Sequence, residues 1–186
     1  MSDTAPSLIG FLDLAWRIIE AGVADPKAPA RQVVFATCGR GGAPGARILI
    51  LRAADRAAGT VEVHTDLASA KVTELERDPR AALLFWDAGA QVQIRLTAAC
   101  TVLRGPAVAD RWTRVPERSR RGYGVEPPPG TPIADPYAVT RPGAQARFAA
   151  IEARVEALEA LQLGQDGHVR AAYKRSDDWR GHWLAP

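Results

Sequence analysis

Between Arg31 and Arg104 the chain falls into five strand-length segments with short turns between them and a single short helix inserted. The segments are Gln32–Thr37, Arg47–Arg52, Thr60–Thr65, Arg80–Trp86 and Gln91–Arg104, and the helix runs from about Leu67 to Arg77. Consecutive strands joined by short turns pair antiparallel, because a parallel pair needs a long crossover. In Gln91-Val92-Gln93-Ile94-Arg95-Leu96, polar and apolar residues alternate as a half-buried strand requires. The pattern predicts a mainly β fold, an antiparallel barrel with added helices. The glycines of Gly39-Arg40-Gly41-Gly42-Ala43-Pro44-Gly45 lie between two strands and serve a hairpin. They open no helix, so they are not a dinucleotide fingerprint.

The flanks add helices and one conflict. Leu8, Phe11, Leu12, Ala15, Trp16 and Ile19 recur at helical spacing behind Ser7, a good N-cap, and Gly22 reads as the stop. Residues 1–30 therefore read as a helical arm on one domain that spans 1–186. Pro106 to Val115 reads as a short helix, and residues 122–143 as a long Pro/Gly-rich loop. Phe148, Ile151, Val155, Leu158 and Leu161 are spaced like a helix face. Yet Gly164-Gln165-Asp166-Gly167 is a hairpin turn that His168–Tyr173 can leave as a strand. A hairpin needs two arms, so the strand reading holds from about Leu158, and 148–157 stays open between helix and strand.

Composition excludes several classes. No apolar run approaches the ~20 residues that cross a bilayer. Met1-Ser2-Asp3-Thr4 has neither the basic start nor the apolar core of a secretion signal, which points to the cytoplasm. Cys38 and Cys100 have no metal-ligand spacing and read as reduced core thiols, and the three histidines are scattered, so no metal is expected. The net charge of +3 comes mainly from arginine. Arg111, Arg114, Arg118, Arg120 and Arg121 form a basic run. Only Trp112 and Tyr123 accompany it for stacking, which argues against nucleic acid and for a solvated or cofactor-facing surface.

One constellation carries chemistry. Thr65, Ser69 and Lys71 gather where a strand ends and a helix starts, near Asp66 in this reading. Unpaired N–H groups and the positive end of the helix dipole suit a phosphate there. Arg47, on the preceding strand, supplies a further cation with a fork of donors. Arg47 and Arg52 are five apart, so on a flat strand they face opposite sides and have different tasks. Each residue also has a plainer reading: Ser69 as a local backbone partner, Gln91 as an alternating barrel position, His168 as a hydrogen-bonded surface histidine.

The order Arg47-Ile48-Leu49-Ile50-Leu51-Arg52, His64-Thr65, Ser69-Ala70-Lys71, Asp78-Pro79-Arg80, Gln91-Val92 and the Trp179–Pro186 close resembles the pyridoxamine 5′-phosphate oxidase-like flavoproteins. The likeness runs from about Arg31 to Pro186. It implies a six-stranded split β-barrel working as a homodimer, with FMN at the interface and a small-molecule substrate. By position, Arg47, Lys71, Thr65 and Ser69 (with Ala70 between) would grip the FMN phosphate. The Arg47–Arg52 strand, including Ile48, Leu49 and Ile50, would line the ring, and His64 would offer its backbone. Gln91 and Arg170 would reach the flavin, and Arg52, Ser119 and His168 the substrate.

The chain also departs from the oxidase pattern. Arg52 replaces a Lys, Val115 stands near an expected Arg, and the expected Tyr is missing. Asp166 replaces an Arg and Leu163 a Trp. The flavin half is matched and the pyridoxal-phosphate half is not. The expectation is thus an FMN-dependent oxidoreductase of unidentified substrate. The alternatives are a genuine pyridoxamine 5′-phosphate oxidase, or a non-catalytic flavin, haem or nucleic-acid binding module on the same barrel.

Overall fold

The computed structural model describes residues 7–165 and 167–186. The reading of Asp166 and that of the N-terminal Met1–Thr4 fall outside these residues. Eight strands form one antiparallel sheet: β1 (Gln32–Cys38), β2 (Pro44–Asp55), β3 (Thr60–Asp66), β4 (Arg80–Asp87), β5 (Val92–Arg104), β6 (Phe148–Gln162), β7 (Val169–Lys174) and β8 (Gly181–Leu184). The order is β3-β2-β1-β4-β5-β6-β7-β8, and β3 also pairs with β6. That last pairing closes the first six strands into the expected barrel, and β7–β8 extend from it as a flap. The barrel is split along β6. Its first half, 148–154, pairs with β3, and its second half, 157–162, pairs with β7, while β5 runs beside both.

β6 decides the open question of 148–157 in favour of strand. Ile151, Ala153 and Val155 face the main core, and Phe148 and Ala150 face a second cluster outside the barrel with Val108, Trp112, Val115 and Tyr123. Both faces of this half-strand are covered, so it lacks the apolar/polar alternation of a half-buried strand. The register between β5 and β6 then skips Glu156. After this bulge the inward residues are Leu158 and Ala160 instead of odd-numbered ones. The apolar interval from Val155 to Leu158 is three because of the bulge, and it imitates a helical repeat.

The main core is filled by Val33, Phe35, Leu51, Val63, Leu83, Phe85, Ile94, Leu96 and Leu158, all sealed from solvent. Helix α1 (Leu8–Ala24) packs on it through Phe11, Ala15, Trp16 and Ile19, and Ser7 caps its start by accepting from Gly10 N–H at 3.0 Å. Gly22 does not stop this helix, which continues to Ala24. The glycine is there because a Cβ would meet the Ala30 carbonyl carbon at 2.6 Å. Gly22→Ala should therefore destabilise the protein by roughly 1–3 kcal/mol, as overpacking does. Chemical denaturation would check this, and an unchanged midpoint would contradict the close packing.

The inserted helix α2 (Ala70–Arg77) starts four residues later than Asp66, with Ser69 in the capping position. Asp66 cannot cap it, because its carboxylate is already used. It accepts from Ala68 N–H at 2.7 Å, Gly124 N–H at 2.5 Å and the Arg147 guanidinium at 3.1 Å. Gln91 likewise precedes its strand, in a turn with φ of 54°. The predicted helix at 106–115 is shorter than expected, α3 (Ala109–Thr113), followed by α4 (Glu117–Arg120). Residues 122–143 hold no named helix or strand, only an isolated bridge between Glu126 and Thr140.

Candidate functional site

Two neighbouring constellations form beside β2 and β3. The first lies against α2. Arg47 leaves β2 opposite Phe35, and its guanidinium donates to Thr37 Oγ1 at 2.5 Å and Glu74 Oε2 at 3.0 Å. Thr37 in turn donates to Glu74 at 2.5 Å. That bond leads in holding the Glu74 carboxyl below its ordinary range; burial opposes it and Arg47 adds to it. Lys71 is 9% exposed and donates to Thr65 Oγ1 at 3.0 Å and to the Ser69 hydroxyl. Burial, and then the charge of Arg47, push the Lys71 ammonium below its usual range. Among the described residues no carboxylate forms an ion pair with Lys71. Ser69 makes no capping bond, so its hydroxyl is directed to this lysine instead. Two cations, two hydroxyls and a helix start thus converge, and a phosphate would relieve the repulsion that the cations exert on each other.

The second constellation is a cavity of about 370 Å³. Leu51, Arg52 and Ala53 of β2, Glu62 and His64 of β3, Val23 of α1, Arg31, and the Arg111–Pro116 region line it. A bulge at Arg52 breaks the β2–β3 register between Leu51 and Ala53. It sends Arg52 into this cavity while Arg47 goes to α2, so the two arginines have separate surroundings because of the bulge and not because of flat-strand alternation. Arg52 Nε is buried without a hydrogen-bond partner. Burial pushes the Tyr123 hydroxyl upward, and the neighbouring Arg52 pulls it back.

Glu62 is 8% exposed, yet its carboxyl lies below its ordinary value of 4.5. Burial alone would raise it; hydrogen bonds from His64 at 3.0 Å and Arg111 at 2.6 Å, with the charge of Arg111, outweigh that. A depressed carboxylate contributes stability that is present above its unfolded value and lost as pH falls through its folded one. Wild-type protein should thus lose stability below about pH 4.5 more steeply than Glu62→Gln. Acid titration of the two would check this, and parallel curves would contradict it.

The remaining expected residues lie elsewhere. Gln91, His168 and Arg170 gather at one end of the sheet. Leu163 N–H donates to the Gln91 carbonyl at 2.9 Å, and Arg170 pairs with Leu161 in the register. Gln91 turns back to donate to Ala88 O at 2.7 Å, His168 Nδ1 accepts from Gly164 N–H at 3.3 Å, and Arg170 pairs with Glu159 at 2.8 Å. Ser119 lies on α4, three residues past the cavity-lining Pro116. Ile48 is 62% exposed on the outer sheet face, and across the register it adjoins Val34 and Leu84 near the exposed Trp86. The basic run does not form one surface: Arg111 and Arg114 reach the cavity, while Arg120 covers Trp112 with its carbon 5.0 Å from the ring centre. Cys38 and Cys100 are both free thiols, Cys100 buried and pushed up to about 12 by that burial. Among the described residues no His/Cys/Asp/Glu cluster could hold a metal. No described helix is long and apolar enough to cross a membrane.

The sequence reading missed Thr37, Glu74 and Glu62. The one local signal was Glu62-Val63-His64, in which two polar residues share a strand face.

The profile of the pyridoxamine 5′-phosphate oxidase family matches residues 23–162, most of the chain and all the residues of both constellations. The chain belongs to that family. It is 36% identical over 94 residues to a pyridoxine/pyridoxamine 5′-phosphate oxidase of Cyanothece, a match that spans 50% of this chain and 41% of that protein. The match thus covers less than half of that relative. The fold also resembles an FMN-binding, pyridoxamine 5′-phosphate oxidase-related protein of Nostoc punctiforme, with a TM-score of 0.77, 20% identity and 99% of each chain covered. PhzG of Burkholderia lata, solved with tetrahydrophenazine-1-carboxylic acid, gives a TM-score of 0.73 and 20% identity over 99% of this chain and 95% of that one.

Proposed function

We propose that the protein is an FMN-dependent oxidoreductase acting on a small anionic organic molecule, as a homodimer with the flavin at the subunit interface. The observation that carries this is a buried Lys71 that donates to the Thr65 and Ser69 hydroxyls beside Arg47, which holds Thr37, next to a cavity into which Arg52 projects an unpaired buried Nε. Arg47, Thr65, Ser69 and Lys71 would neutralise and orient the FMN phosphate. The backbone of Ile48, Leu49, Ile50 and His64 would line the ring, and Arg52 would donate to its polar edge or to substrate. The flavin, when bound, supplies two-electron redox chemistry; the protein's part is to position, to exclude water and to hold protons.

The four guanidiniums of Arg31, Arg52, Arg111 and Arg114 favour a substrate carrying a carboxylate or phosphate. A second copy would cover the apolar face of Ile48, Val34, Leu84 and Trp86. It would also bring Gln91, Arg170 and the substrate-facing His168 to the flavin from outside, with Ser119 contributed beside the cavity. The free thiols support a reducing, cytoplasmic setting.

The relative from Cyanothece favours a second reading, genuine pyridoxamine 5′-phosphate oxidation. Arg52 and Val115 weigh against it, since neither repeats that enzyme's pattern. Oxygen uptake with pyridoxamine 5′-phosphate decides between the two readings.

Absorption of the purified protein, with and without added FMN, tests the cofactor. A shifted, structured flavin band with quenched fluorescence is expected, and absence of uptake would leave a binding module of another kind. Sedimentation should give a dimer. A monomer that retains FMN tightly would remove the interface site.

A further inference from the structure

Glu62 uses both carboxylate oxygens within the cavity wall, one for His64 and one for Arg111. His64 therefore presents Nε2 to an anion, at 3.0 Å. An imidazole next to an ionised carboxylate donates to it, and in the neutral ring the other nitrogen is then an acceptor. Among the described residues Nδ1 has no hydrogen-bond partner, and the ring lines the cavity. Phe148 fixes the ring edge-on, with centroids 4.8 Å apart. The charged groups that line the cavity with this ring are Glu62 on its own strand, Arg52 from β2, Arg111 and Arg114 from α3 and the turn after it, and Arg31 from the segment before β1.

We propose that His64 is the proton acceptor of the cavity, with Nδ1 as the receiving atom, and that Glu62 is the positioning residue that fixes the Nε2–H tautomer. The ligand is an anionic organic molecule with an ionisable O–H or N–H group. Its heteroatom–H bond breaks, the electron pair stays on the heteroatom, and the proton forms the Nδ1–H bond. The guanidiniums hold the resulting anion, and Glu62 balances the imidazolium. This assignment rests on the reading of the cavity as the substrate site. It gives the side chain of His64 a task beyond offering its backbone to the flavin.

The test uses the flavin-loaded full chain, with loading read from its visible spectrum. The probe is 4-hydroxy-3-nitrobenzoate, whose phenol colours on ionisation, and the bound phenolate fraction is read against that of the free probe at the same pH. Nitrogen-15 NMR on histidine-labelled protein, with His64 assigned through His64→Gln, reads both ring nitrogens. The expected results are an Nε2–H tautomer in the free protein, protonation of Nδ1 on adding probe, and phenolate colour. His64→Gln should lower the bound phenolate fraction, counted per flavin-loaded chain, about threefold or more.

Glu62→Ala should give mixed tautomers and Glu62→Asp should restore one. If the alanine variant does not fold, Glu62→Gln serves in its place, with a weakened preference expected. An Nδ1–H tautomer in the free protein, an Nδ1 signal unmoved by probe, or equal colour in His64→Gln would each overturn the assignment. The tautomer is also read without flavin, so failed flavin uptake by the wild type would count against the proposed function and not against His64.

Discussion

The double variant Arg47→Ala, Lys71→Ala should lose FMN retention by roughly a hundredfold to ten-thousandfold, since each removes a charge-assisted contact of about 1.5–3 kcal/mol to the phosphate. The fold should survive, for a reason found in the pair itself. Lys71 is buried beside Arg47 and its ammonium is held below its ordinary range, first by desolvation and then by that charge. The sign of the linkage follows. A lysine depressed in the folded state carries a penalty wherever it is protonated, and the penalty vanishes only as pH rises above 10.5. Removing the lysine at neutral pH relieves this penalty. Removing Arg47 strips Glu74 and Thr37 of their partner and costs stability. The two changes oppose each other, so the melting temperature of the flavin-free double variant should stay close to that of the wild type. Lys71→Met alone should raise it by a few degrees, about what the release of 0.5–2 kcal/mol produces. Equilibrium flavin titration and thermal melts measure both quantities. Wild-type affinity in the double variant would place the phosphate elsewhere. A Lys71→Met melt below wild type would show that the lysine stabilises the fold and is not held for a ligand.

This opposition between stability and binding is the physical mark of a prepared site. A cation buried beside another cation, with hydroxyls as its hydrogen-bond partners, is disfavoured in the empty protein even though the charges of Glu74 and Asp66 offset part of the cost. It resembles an anion site more than an ion-pair network, and the neighbouring Arg52 Nε, buried and unpaired, has the same character. By contrast Asp66, where the sequence reading starts the inserted helix, is satisfied three times over by the chain itself.

What the sequence could tell depended on whether a feature is local. Ser7 and the α1 face were readable because cap and periodicity lie within a few residues of each other. The alternation in β5 was readable because one face of that strand meets water. β6 was not, because its two faces meet two different cores and a bulge at Glu156 resets which residues point inward. Tertiary covering, not propensity, makes Phe148–Gln162 a strand. The same limit applies to the site. Thr65, Ser69 and Lys71 lie within seven residues of one another and bond together, and Arg47 reaches their neighbourhood from the preceding strand. The Glu62–Arg111 pair spans 49 residues, and Thr37 reaches Glu74 across 37. Such pairs exist only once the barrel has closed and α2 and α3 have docked on it.

Phe148→Ala should be the most damaging single change in the outer cluster, costing roughly 3–5 kcal/mol for the lost ring and the space it leaves. Phe148 is fully buried, begins β6, and pairs with Asp66 in the strand that closes the barrel. Its ring meets Tyr123 at 4.9 Å, Trp112 at 5.3 Å and His64 at 4.8 Å. Three segments far apart in sequence therefore rest on one side chain. Phe148→Leu keeps most of the volume and should cost less than about 1.5 kcal/mol. At roughly 2–4 °C per kcal/mol for a chain of this size, the alanine variant should melt about 6–20 °C lower. The functional consequence is separable from the loss of stability. The alanine variant frees the His64 ring and loosens α3, which carries Arg111, so the cavity should lose its order at temperatures where the barrel still holds. The phosphate constellation is held by hydrogen bonds in which Phe148 takes no part and should keep its affinity. Flavin affinity near that of wild type, together with a weakened His64 tautomer preference and a lowered melt, is the expected combination. A melt lowered by less than about 1 kcal/mol in equivalent terms would mean that the outer cluster collapses around the hole, and that the cavity wall does not depend on this ring.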